Sequence, residues 1–214
     1  MSLNATLRRR MQNLLRAVDQ HDTRGPRLID DAARLWSRVQ KFIAMGLVTA
    51  ESDTEALELA CYALQLPQRQ AKPPTAGKLG RTNLKDRSEQ SAELLVSMLD
   101  DVDEALLDRA TRLLHEMPHR SPVPEEAKLL ADALNLEDFG IIGLMDQMIQ
   151  LARQGDGVVQ LSEGTDKREQ YGYWEARLKD GFHFELVRQI ATRRLDHARA
   201  VAKMLAEELK EDQP

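Results

Sequence analysis

The chain is short of the residues that staple a fold, cross a membrane or grip a polyanion. It has one cysteine, Cys61, in 214 residues. No internal disulfide and no cysteine-based metal site can therefore form, as expected for a protein of a reducing compartment. Cys61 lies in an apolar segment and is expected to be a small buried hydrophobe. No run of about 18 uncharged apolar residues occurs, and no apolar leader opens the chain. A cytoplasmic protein without a membrane segment is expected. Basic charge is not in excess either: 30 Lys and Arg stand against 35 Asp and Glu, a net charge of −5. That balance argues against a nucleic-acid partner. The one tight basic run, Arg8, Arg9 and Arg10, is expected to be a solvated helix face.

Aromatic residues are only 4% of the chain and glycines number 11, whereas Leu, Ala, Glu, Arg, Lys and Gln are abundant. These are helix formers. With 42% hydrophobic and 30% charged residues, the chain is globular rather than disordered. The fold class is therefore all-α. Leu7, Met11, Leu14, Leu15 and Val18 recur at helical spacing, so Leu3–Gln20 reads as an amphipathic helix capped by Asn4. A second helix runs from about Pro26 to Met45, with Pro at its start and Gly46 past its end. Ser52 and Glu55 have the spacing of a capping box for a third, Asp53–Leu66.

Residues 67–83 hold three prolines and two glycines and read as a flexible loop. Helices follow at about Leu84–Leu99, Asp103–Glu116, Pro124–Leu134 and Asp138–Gln154. Gly155–Asp166 reads as a second loop. A short helix near Glu169–Lys179 and a long one, Phe182–Glu211, complete about nine helices. Residues 1–25 read as an N-terminal helical extension and residues 26–214 as a single domain.

Several segments, in order, resemble a known family. Ser37, Arg38 and Val39 are similar to "HxxRV", and ACYALQL (Ala60–Leu66) to "AALLHDI". EQSAE (Glu89–Glu93) is similar to "ExSAE". EAKLLADALNLEDFG (Glu126–Gly140) is similar to "EAKLLxDADxLDxxG". Tyr173, Trp174 and Glu175 match a closing aromatic segment, and IATRR (Ile190–Arg194) matches "IAxxR". Together they resemble the HD-domain superfamily, metal-dependent phosphohydrolases with an all-helical core, and in particular its small bacterial members. The resemblance covers about Leu28–Glu208. It implies a divalent ion held by two histidines, one of them in a His-Asp pair, and by a later Asp. Such an ion polarises a phosphoryl oxygen and lowers the pKa of a bound water.

Carried over position by position, the resemblance places the first His at Leu35 and the His-Asp pair at Leu64 and Gln65. The late ligand falls at Leu134, while Asp132 matches the first acid of that motif. Leucine cannot ligate a metal, and a neutral amide is a poor substitute. The expectation is a vestigial site, with leucines whose burial would contribute about 1.5–3 kcal/mol each, and no metal or other cofactor. The expected role is then a noncatalytic module that binds a small phosphorylated ligand or a protein partner. Arg38, Asp132 and His115 are the residues expected to line any surviving pocket, bordered by Glu126, Lys128 and Asn135. A Lys128–Asp132 ion pair is expected from their spacing.

The alternative is an active phosphohydrolase with a divalent metal at a displaced site of His115, His119 and Asp132. The stripe of Leu3–Gln20 offers a surface for a partner or a second copy of the chain. His183 and His197, placed on one long helix, would stand about 21 Å apart and could not share an ion. Asp100, Asp101, Asp103 and Glu104 read as helix termination and capping.

Overall fold

A computed structural model describes residues 3–16, 24–49, 52–69, 83–99 and 101–211. Among these residues the protein is all-α, with no strand. Ten α-helices are present: α1 (Ala5–Arg16), α2 (Arg24–Ala44), α3 (Thr54–Ala63), α4 (Leu84–Met98), α5 (Glu104–Glu116), α6 (Glu125–Asn135), α7 (Ile141–Ala152), α8 (Val158–Gln170), α9 (Tyr173–Asp180) and α10 (Glu185–Glu211). Short 3-10 turns cover Leu66–Arg69 and Leu136–Asp138. No described helix is long and apolar enough to cross a membrane. The expected loop at 67–83 falls largely outside the described residues, as does Asp100.

The chain divides into two compact units. Met1–Lys72 and Leu79–Ala131 form the first, and Pro73–Lys78 and Asp132–Pro214 the second. The division falls within α6, at a point where the sequence reading drew no line.

In the first unit α3 is the central helix, packed by α1, α2, α4 and α5. Every residue from Ala56 to Ala63 is buried, including Cys61. A helix apolar all round belongs in an interior, and one member of this run, Glu58, is charged. Its carboxylate accepts from the Leu3 amide at 3.1 Å, from Arg8 Nε at 2.5 Å and from Arg8 Nη2 at 3.0 Å. A buried carboxylate needs such donors, and here they come from the start of α1. Asn4 caps that helix as expected, accepting from the Thr6 amide. Leu7, Met11 and Leu15 are buried. Of the arginine run expected to be a solvated face, Arg9 is exposed and Arg10 pairs with the exposed Asp101, whereas Arg8 reaches the buried Glu58.

Two local readings are also corrected. The N-cap of α3 is Asp53, which accepts from the Ala56 amide, while the Ser52 hydroxyl donates to the Thr49 carbonyl. No Ser52–Glu55 capping box forms, because the helix begins one residue later than that box requires. Gly155–Asp166 is mostly helix rather than loop. α8 starts at Val158, and Gln160 Oε1 reaches back to accept from the Gly157 amide. Leu161 then joins Leu144 and Leu151 in a buried cluster with Met148, Val201 and Leu205 packed on it. Tertiary burial thus outweighs the glycine content of the segment.

In the second unit α10 packs on α7, α8 and α9. Phe139 sits between Trp174 and Phe182, edge-on to each with ring centroids 5.2 Å apart. The turn into α7 depends on two glycines. Gly140 adopts φ +91°, and a Cβ there would meet Arg194 Cβ at 3.1 Å. At Gly143 a Cβ would lie 2.3 Å from the Asp138 carbonyl oxygen. Gly143→Ala is therefore expected to destabilise the protein by about 1–3 kcal/mol through overpacking, read as a lower urea midpoint. An unchanged midpoint would refute the close approach.

Candidate functional site

The positions that the resemblance assigns to metal ligands are occupied by buried, packed side chains. Leu35 on α2 and Leu64 at the end of α3 are fully buried, and Leu134 on α6 is 6% exposed. Leu35 and Leu64 belong to the first unit and Leu134 to the second. Gln65 is buried too, at 2% exposure.

The pair Leu64–Gln65 has a partner that the sequence reading passed over. Arg87, on α4, donates from Nε to the Leu64 carbonyl at 2.9 Å and from Nη2 to Gln65 Oε1 at 3.2 Å. A guanidinium thus satisfies the two residues that the resemblance aligns with the His-Asp pair. The Nε2 of Gln65 is buried with no hydrogen-bond partner. The hint in the sequence was the neutral amide at position 65: a buried amide oxygen needs a donor, and Arg87 stands just before EQSAE. Among the described residues, no three His, Cys, Asp or Glu side chains group as a metal site would.

Asp132 is fully buried, and both its oxygens are engaged. Oδ1 accepts from the His183 amide at 2.8 Å and Oδ2 from the Phe184 amide at 2.9 Å. The Phe184 carbonyl accepts the first bonds of α10, so Asp132 caps that helix from α6. The expected Lys128–Asp132 pair does not form, since Lys128 Nζ pairs with Glu125 at 2.5 Å. Burial pushes the Asp132 carboxyl up to about 6, against the two amide bonds and Arg188, which favour the anion. His183 precedes α10 rather than lying on it with His197, because its amide is taken by Asp132.

The remaining candidates are dispersed. Arg38 is buried on α2. His115 is exposed in the last turn of α5. His119 is exposed beyond the helix end. His115 and Asp132 belong to different units. Asn135 donates to the Gly181 carbonyl at 2.7 Å and accepts from Arg177, which ties the end of α6 to α9. Glu126 faces a cavity of about 270 Å³ in the first unit, shared with Asp53, Ala56, Arg109, Arg112 and Leu113. That volume is just under the usual range of ligand sites, about 300–1,000 Å³. Asp53 and Arg109 pair beside it.

Fold and residues together define an all-α protein of two helical units. No family model matches the chain, and no curated protein matches it. Solved structures of YpgQ from Bacillus subtilis are similar over nearly the whole length. The selenomethionine form gives a TM-score of 0.60 at 16% identity, covering 95% of this chain and 96% of that one. YpgQ in complex with ADP gives 0.59 at 18% identity, covering 98% and 94%. At such identities the likeness is one of fold.

Asp132→Ala should strand two buried amides and destabilise the protein by about 1–3 kcal/mol at neutral pH. The pKa of Asp132 is raised by folding, so its proton stabilises the fold below about pH 4. That contribution is lost as pH rises through about 6. The stability gap between parent and variant should accordingly widen from pH 7 down to pH 4 in urea titrations. A gap independent of pH would refute the shift.

Proposed function

We propose that this chain is an HD-like domain whose phosphohydrolase centre has been replaced by packing and by a guanidinium. It binds a small phosphorylated ligand, or a partner, without hydrolysing it. The observation that carries this reading is Arg87, bonded to both residues that stand for the His-Asp pair. An arginine can hold phosphoryl oxygens as a fork of donors, but it cannot generate hydroxide from bound water as a metal does. The buried leucines at positions 35, 64 and 134 support the same reading, because refilling them with ligands would put unpaired polar groups in an apolar interior. Asp132 accepts from the His183 and Phe184 amides with its two oxygens, so turning it toward an ion would release the cap of α10. The ADP held by the similar YpgQ structure supports a nucleoside diphosphate as the first ligand to try.

The test is metal analysis of the purified protein, a phosphate-ester screen, and calorimetric titration with ADP. No stoichiometric Mn, Fe, Mg or Zn and no chelator-sensitive turnover are expected. ADP should bind, and Arg87→Ala should weaken it at least about tenfold, the loss of charge-assisted contacts. Retained metal with chelator-sensitive hydrolysis would overturn the reading, and so would ADP affinity unmoved by Arg87→Ala.

A further inference from the structure

The second unit contains a cluster of hydrogen-bond donors, two atoms of which are buried without an acceptor. Arg168, on α8, is half-buried. Its guanidinium carbon lies 5.6 Å from the centroid of the Tyr173 ring and 5.8 Å from that of Trp174. Arg177, on α9, approaches the same Tyr173 ring at 5.9 Å. Two guanidinium groups thus share one aromatic platform. Arg177 has an anionic partner, Asp138, at 3.0 Å. Arg168 has none among the described residues; its partner is the neutral Gln147, whose Oε1 accepts from Nη1.

Two neighbouring carboxylates are committed elsewhere. Glu169 and Glu175 both pair with Arg199, at 2.6 Å and 2.8 Å. Burial pulls the pKa of Arg168 down, and the neighbouring Arg177 adds to that. A partly desolvated charge without a counterion is an unfavourable arrangement to leave standing.

Two further donors are orphaned. Gln147 is 6% exposed, and its Nε2 has no partner; the buried Nε of Arg177 also has none. The nearest atom to a Cβ added at Gly164 would be Gln147 Nε2, at 3.4 Å. Glycine inside a helix is unfavourable by about 1 kcal/mol relative to alanine, and here it leaves that amide uncrowded. Tyr173, at 37% exposure, leaves the cluster open to solvent.

We propose that Gln147, Arg168 and Arg177 form a site for a phosphate-class oxyanion beside Tyr173. The donors arrive from α7, α8 and α9. A planar carboxylate is satisfied by the fork of one arginine, whereas a tetrahedral anion presents oxygens in several directions. The site is built wholly from the second unit and stands whether or not Arg87 binds a ligand in the first.

The test uses the full chain and inorganic phosphate, titrated calorimetrically at constant ionic strength, with acetate as the comparison. Saturable phosphate binding is expected, with acetate much weaker. Gln147→Glu would place a carboxylate against Arg168 and supply the missing countercharge from within. That variant should keep or raise the thermal midpoint while phosphate binding falls at least about tenfold. Arg168→Gln should lose binding to a similar degree. No saturable binding by the parent would overturn the proposal, as would equal binding of acetate. Loss of phosphate in Arg87→Ala with retention in Gln147→Glu would place the anion in the first unit and overturn it as well.

Discussion

The second unit turns on one carboxylate. Asp132 gives one oxygen to each of the two amides that open α10. The N–H groups at a helix start need acceptors, and Asp132 of α6 supplies them for the two residues just before α10. Because the cap comes from Asp132, α10 is fixed to the segment Asp132–Gly143. The two glycines of that segment then let the backbone turn tightly against Asp138 and Arg194. The aromatic stack of Phe139, Trp174 and Phe182 closes over the same turn.

This duty also bears on chemistry. A carboxylate that satisfies two backbone amides cannot be turned toward an ion without stranding them. The first unit shows a related exchange of roles. Glu58 is buried and charged, but its three donors come from Leu3 and Arg8, so its charge serves to hold α1 in place. Arg87 does the corresponding work at Leu64 and Gln65. The buried carboxylates Glu58 and Asp132 are thus spent on cohesion, one in each unit. Among the described residues, Gln147 Nε2 and Arg177 Nε are buried donors without acceptors, and both belong to the cluster around Arg168.

Much of the helical layout was legible in the chain. The stripe of Leu7, Met11 and Leu15, the Asn4 cap and Gly46 beyond α2 needed only local rules, because helix periodicity and end signals are short-range. Gly155–Asp166 was misread for the same reason: local rules weigh glycines, whereas burial of Leu161 against Leu144 and Leu151 decides the helix. The division of the chain within α6 left no mark in composition, since one continuous helix crosses it.

By itself, the sequence determined the all-α class, the burial of Cys61 and the absence of ligating atoms at positions 35, 64 and 134, because these follow from residue identity and short spacing. Only the tertiary structure decided what surrounds those positions. Arg87 reaches across 23 residues to the Leu64 carbonyl, and Asp132 reaches across 51 to the His183 amide. Contacts at that separation depend on how helices pack, and no local pattern encodes them. The same holds for Arg168, whose want of a counterion appears only once Arg199 is seen to hold both Glu169 and Glu175.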